Sequence, residues 1–103
     1  MTMTPEHLDL LITARSHLAA LADTAPVEAD YEDILLDLSE LHPSCPATPI
    51  VPTRPNRAAC YRRARRAVWG LRSHGVHELS LALLVARLDG AWDAERHAAR
   101  GAP

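Results

Sequence analysis

The chain has 103 residues, of which 48% are apolar and 23% charged, and its net charge is −2 at neutral pH. This length fits one domain with one modest core, and no apolar stretch is long enough to suggest a membrane span. Alanine and leucine dominate the apolar residues and phenylalanine is absent, so helices are favoured over sheet.

All 11 basic residues are arginine, which together with the excess of alanine indicates a high-GC bacterial genome. The first residues lack a basic region followed by an apolar stretch, so we expect a cytoplasmic protein. In that compartment the two cysteines, Cys45 and Cys60, are expected to be free thiols.

The first predicted helix covers 5–23, because Thr4 is a favourable N-cap and Pro5 suits the first helical position. Its apolar stripe consists of His7, Leu11, Ala14, Leu18 and Leu21. The opposite, polar side holds Asp9, Thr13, Ser16 and Asp23. The spacing predicts an amphipathic helix with one buried face.

The second predicted helix covers 26–42 and begins at a proline. Its carboxylates form an acidic ridge beside the apolar stripe, made of Asp30, Asp33, Asp37 and Glu40. Asp37 and Glu40 lie in the last turns, where the helix dipole disfavours negative charge. We therefore expect a cationic neighbour beside them.

Prolines recur at every third position from 43 to 55, which matches the three residues per turn of polyproline II. A rod over 43–55 extends about 37 Å, roughly the length of a 25-residue helix. Such a crossover allows the helices before and after it to run parallel and lie side by side. The alternative, a ligand for a proline-binding partner, is less favoured because the rod stands between two core helices.

The third predicted helix covers 56–74, and Gly75 is expected to end it in a left-handed conformation. Small residues at 60, 64 and 67 allow another helix to approach closely. On an adjoining side Trp69 is surrounded by Arg62, Arg65, Arg66 and Arg72. The acidic segment 27–42 has no arginine and the basic segment 57–72 no carboxylate, so we expect these two helices to neutralise each other within the chain or across an interface.

The fourth predicted helix covers 76–99 and is apolar on two sides in its first half. One stripe contains Leu81, Leu84, Val85, Leu88 and Trp92, and the other contains Leu79, Ala82, Leu83 and Ala86. A helix of this kind must be covered twice. It is therefore either the central element or it shares its second stripe with a second copy of the protein. We predict a homodimer whose interface contains Leu79, Leu83 and Ala86.

These elements predict an all-α, four-helix bundle with a long polyproline-II-like crossover between helices 2 and 3, in a single domain over 1–103. The favoured function is a small, non-catalytic interaction or regulatory module that acts as a homodimer. A different protein partner is a further option, and no membrane association is expected.

Two other functions remain open. The Arg-rich helix 57–72, with Arg62, Arg65, Arg66, Trp69 and Arg72, has the composition of a nucleic-acid-binding surface, although the acidic helix would repel phosphates. An enzyme or ligand-binding protein would place Asp30, Asp33, Asp37 and Glu40 opposite Arg62, Arg65 or Arg66 in a pocket for a small anion. No nucleophile stands beside a base, so no catalytic residue is assigned.

We predict neither a cofactor nor a metal site. Residues of suitable type are present at His42, Cys45, Cys60, His74 and His77, but their spacing matches no known zinc pattern. His74 and His77 flank a helix break, so they are expected to be turn and cap residues.

Overall fold

A computed structural model of the chain describes residues 4–23, 31–40 and 56–101. These ranges contain four α-helices and no strand: α1 (Pro5–Asp23), α2 (Tyr31–Glu40), α3 (Arg57–Gly70) and α4 (Glu78–Gly101). The all-α prediction is therefore confirmed. The predicted ends of the second helix at 26 and 42, and the proline crossover at 43–55, lie outside the described residues.

The starts of α1 and α3 follow from their cap residues. The hydroxyl of Thr4 accepts a hydrogen bond from the backbone N–H of His7 at 3.1 Å, as expected for an N-cap. The side chain of Asn56 does the same for the N–H of Ala59 at 3.0 Å. Both side chains satisfy donors that the first helical turn leaves without partners.

The connection from α3 to α4 is longer than predicted. The α-helix ends at Gly70, and Leu71–His74 continues as a 3-10 turn before Gly75, whose φ of 86° is left-handed as expected. α4 begins at Glu78 rather than at 76. His77 precedes it, and its ring nitrogen Nδ1 accepts a hydrogen bond from the N–H of Leu79 at 3.2 Å. His77 is therefore a cap, as predicted.

α1 and α4 both pack against α2 and α3, and α1 is the more enclosed of the two because its contact with each neighbour is more extensive. Its predicted stripe residues Leu11 and Leu18 are fully buried, and Ala20 on another side is buried as well. Ser16, which the pattern placed on the solvent side, is only 7% exposed. That placement is wrong because α1 is covered on two sides, whereas a single stripe implies one.

α3 approaches α1 through small residues, as the sequence predicted. Cys60, Ala64 and Ala67 are buried, and a Cβ atom added to Gly70 would lie 3.1 Å from both terminal carbons of Leu10. Side chains of this size allow two helices to pack at short range. The interface between α1 and α3 is consequently the most extensive helix–helix contact of the described residues.

The expected side-by-side placement of the acidic and basic helices is wrong. Within the described ranges α2 packs on α1 and α4, α3 also packs on α1 and α4, and α2 and α3 do not contact each other. Each of the two helices buries its apolar residues against the same pair of neighbours. α2 and α3 therefore occupy opposite corners of the bundle, and their charges face different directions.

The helix directions follow from contacts at the two ends of the bundle. At one end Tyr31 at the start of α2 and Arg57 at the start of α3 both hydrogen-bond Glu95, near the end of α4. At the other end the ring of His7 stacks on His74, with centroids 4.9 Å apart. α2 and α3 thus begin at the same end and run in the same direction.

Candidate interaction surfaces

The outward face of α4 is the first candidate surface. Leu79 and Leu83 are 62% and 59% exposed, and Ala86 and Gly90 on the same side of the helix are exposed too. The other stripe of α4, which includes Leu81 and Leu88, is buried in the core. We call Leu79, Leu83, Ala86 and Gly90 the outer stripe. Exposed leucines at helical spacing are typical of an interface.

One of the two options predicted for α4, that it is the central helix of the bundle, is not what the structure shows. The most enclosed helix is α1, so α4 is not the central element. α2 and α3 cover the two inner flanks of α4 and leave its outward side free of contact within the described part of the chain. The second apolar stripe is thus not buried by the described helices.

Two ion pairs fix the flanks of α4. On the α2 side Arg87 pairs with Asp37. On the α3 side Asp89 accepts a hydrogen bond from Arg65 Nε at 3.0 Å and another from the Tyr61 hydroxyl at 2.5 Å. The hydrogen bond to Asp89 raises the pKa of Arg65.

The arginines of α3 form the second candidate surface. Arg62, Arg63, Arg66 and Arg72 are exposed, and no carboxylate of residues 4–23, 31–40 or 56–98 pairs with any of them. Arg72 lies over the ring of Trp69 at 5.5 Å. Trp69 itself is half-buried against the core. We call Arg62, Arg66, Arg72 and Trp69 the arginine face; Arg65 is turned towards α4 instead.

The acidic ridge lies across the bundle from these arginines. Asp37 and Glu40 line an open cleft of about 490 Å³ between α2 and α4, together with Ser80, Leu83, Leu84 and Arg87. Asp33 is exposed, and Asp30 lies outside the described residues. The predicted pocket between this ridge and Arg62, Arg65 or Arg66 therefore does not form within the described ranges. The expected cationic neighbour of Asp37 is Arg87.

A buried polar cluster joins all four helices at one end of the bundle. Arg57 donates to Glu95 Oε2 at 2.9 Å, pairs with Glu95 Oε1 as well, and donates to the carbonyl oxygen of Leu21 at 3.1 Å. Tyr31, which is fully buried, donates to Glu95 at 3.1 Å. Burial and the adjacent carboxylate raise the pKa of Tyr31, while the hydrogen bond to Glu95 raises the pKa of Arg57.

The histidines and the cysteine form no metal centre in the described residues, where no three His, Cys, Asp or Glu side chains converge. Burial raises the pKa of the Cys60 thiol, which disfavours the thiolate, the reactive form of cysteine. Burial and the nearby Arg63 lower the pKa of His17. His42 and Cys45 lie outside the described ranges.

Sequence reasoning missed four residues of α4 that organise these surfaces: Arg87, Asp89, Gly90 and Glu95. Arg87, Asp89 and Glu95 are unremarkable in the helical pattern. Asp89 and Arg65 lie on different helices, so no spacing relates them. For Gly90 a signal was present, because a glycine inside a helix is unfavourable and requires a reason.

Comparison of the chain with protein-family models, with curated proteins and with solved structures gives no match. In the part of the chain that the structure describes, no helix has the length and apolar character needed to cross a membrane. The functional argument therefore rests on the surfaces described above.

Proposed function

We propose that this protein is a non-catalytic helical interaction module that acts as a homodimer through the outer stripe of α4. The observation that carries the proposal is the exposure of Leu79 and Leu83 on a helix whose inward side is already packed. Burying a leucine stabilises an interface by about 1.5–3 kcal/mol. Leaving two of them in water is a cost that a partner surface removes.

The matched variants Leu83→Asp and Leu36→Asp test the proposal. Leu36 is 62% exposed on the outward side of α2, so it resembles Leu83 in exposure but lies outside the outer stripe. We expect the wild-type protein and L36D to sediment as dimers at micromolar concentration and L83D to sediment as a monomer. A wild-type monomer under these conditions would refute the proposal, and so would an L83D dimer.

The milder variant Leu83→Ala gives a graded version of this test. Because 59% of Leu83 is exposed in the single chain, its truncation should weaken the free energy of dimer association by about 1 kcal/mol per copy, or about 2 kcal/mol per dimer. The dimer dissociation constant should therefore rise roughly 30-fold. Circular dichroism at the same concentrations checks that the helices are retained.

A second candidate function is polyanion binding by the arginine face, with single-stranded nucleic acid as the ligand. The observation that favours it is that Arg62, Arg66 and Arg72 are exposed without a carboxylate partner in the described ranges. α2, whose carboxylates would repel phosphates, lies at the opposite corner of the bundle. Arginine and tryptophan together suit phosphate contact and base stacking.

Retention on mixed-sequence single-stranded DNA at low salt tests this candidate. The double variant Arg62→Ala plus Arg66→Ala should lose retention, whereas Arg87→Ala plus Arg96→Ala, which changes the net charge equally, should keep most of it. Binding should also weaken steeply as salt is raised. No retention of the wild-type protein at low salt would dispose of nucleic-acid binding.

A further inference from the structure

The spacing of the outer stripe reads the same in both directions along α4. Its members Leu79, Leu83, Ala86 and Gly90 are separated by four, three and four residues. In an antiparallel pair of α4 helices with a twofold axis between positions 84 and 85, Leu79 lies opposite Gly90 of the second copy. Leu83 then lies opposite Ala86 of the second copy, so that each large side chain meets a small one.

Within residues 4–23, 31–40 and 56–101, nothing requires a glycine at position 90. The φ of Gly90 is not positive, and a Cβ atom added there would meet no atom of these residues within 4 Å. Gly70, the last residue of α3, differs because its missing side chain makes room for Leu10. Glycine is the least favourable helix residue after proline, so its presence at 90 indicates a close approach from outside.

The two charges that flank the middle of the outer stripe, Arg87 and Asp89, do not oppose a second copy. Arg87 on one flank is neutralised by Asp37, and Asp89 on the other flank by Arg65. In a twofold antiparallel pair, equal flanks face each other, so unpaired charges there would be repulsive. Because both charges are paired within their own chain, the middle of the face is compatible with a copy of itself.

We infer that α4 pairs antiparallel with α4 of a second copy, with Leu79 packed against Gly90 and Leu83 against Ala86. This inference rests on the proposed homodimer and adds its orientation and register. A parallel pair would place leucine against leucine and glycine against glycine, which crowds one end and leaves a gap at the other. The outer stripe is self-complementary only in the antiparallel sense.

Disulfide cross-linking tests the register. Cys45→Ser and Cys60→Ala first remove the native thiols, and Leu79→Cys and Gly90→Cys are then introduced separately and together. Across the twofold axis, equal positions are 11 residues apart, which is about 16 Å along the helix. This exceeds the Cα separation of about 4.4–6.8 Å that a disulfide requires. Only the double variant should form a covalent dimer under mild oxidation.

The outcomes separate the register from the dimer itself. A covalent dimer in the double variant alone supports the antiparallel pairing. A covalent dimer of the single variant Leu79→Cys indicates a parallel pair and overturns the inference. If the protein also sediments as a dimer in that case, the proposed function still stands. If the protein sediments as a dimer but none of the three variants forms a covalent dimer, the interface is a different one and the inference is also overturned. Monomers in sedimentation overturn both.

A second measurement covers the event that the cysteine variants do not fold. Gly90→Leu places a large side chain where Leu79 of the second copy is expected, so the dimer dissociation constant should rise at least tenfold. Arg96→Leu adds a similar side chain to an exposed position away from the stripe and should leave the constant within about twofold. Equal dissociation constants for the two variants would overturn the inference.

Discussion

Replacing Gly90 by alanine is expected to stabilise the single chain and to weaken its self-association at the same time. In the described part of the single chain, a Cβ atom added at position 90 meets no atom within 4 Å, so alanine causes no clash there. Exchanging glycine for alanine inside a helix contributes about 1 kcal/mol. For a domain of this size that corresponds to a rise in melting temperature of roughly 4–8 °C.

Two other glycines provide matched controls for this variant. Gly75→Ala should destabilise the protein by about 1 kcal/mol, because the φ of 86° is unfavourable for any residue with a Cβ. Gly70→Ala should gain less than Gly90→Ala, since its Cβ would press on Leu10 at 3.1 Å. The predicted order of stability is therefore Gly90→Ala, then Gly70→Ala, then Gly75→Ala.

The assay is thermal unfolding followed by circular dichroism at two protein concentrations, one below and one above the dimer dissociation constant. At low concentration Gly90→Ala should melt above the wild type. At high concentration its advantage should shrink, because alanine hinders the approach of Leu79 from the second copy and the wild type gains more from association. A variant that melts below the wild type at low concentration would refute the reasoning, as would an advantage that does not change with concentration.

Two predictions concern buried polar groups. Glu95→Gln should lower the free energy of unfolding by about 2 kcal/mol, which is less than the loss of a fully buried pair because the Arg57 side chain keeps 24% exposure. Urea unfolding measures this loss beside the exposed control Glu32→Gln. Equal losses in the two variants would contradict the role of the cluster. His17→Gln tests the lowered pKa of His17, which burial and Arg63 cause. Because unfolded His17 binds its proton near pH 6.5, the wild type should lose stability relative to the variant as the pH falls from about 7.5 to 5.5. Parallel pH profiles of the two proteins would rule this out.

The sequence was sufficient for the presence of the four helices and for the cap residues, because these depend on local chemistry. It was not sufficient for the end of α3 at Gly70 or for the start of α4 at Glu78. Thr4 caps α1 through its own hydroxyl, and Gly75 supplies a backbone conformation that few other residues adopt. The buried stripes of α3 and α4 were also predictable, since helical spacing decides which residues share a face. Leu79 and Leu83 were assigned to a second face of α4 on this basis, and both are exposed in the single chain.

The sequence was insufficient for the contacts between helices. Periodicity places Asp37 and Arg65 on particular faces, but it does not say which neighbouring helix each face meets. Asp37 therefore pairs with Arg87, and Arg65 with Asp89, where the charge segregation suggested that the two would face each other. The burial of Ser16 has the same origin, because only the packed bundle reveals that α1 has two neighbours.

The central claim is that the outer stripe of α4 is covered by a second copy of the chain. Sedimentation equilibrium of the unaltered protein at micromolar concentration tests it most directly. The proposal predicts a mass of twice the 11.3 kDa of one chain, falling towards a single chain on dilution. A mass of one chain at every concentration in the micromolar range would contradict it.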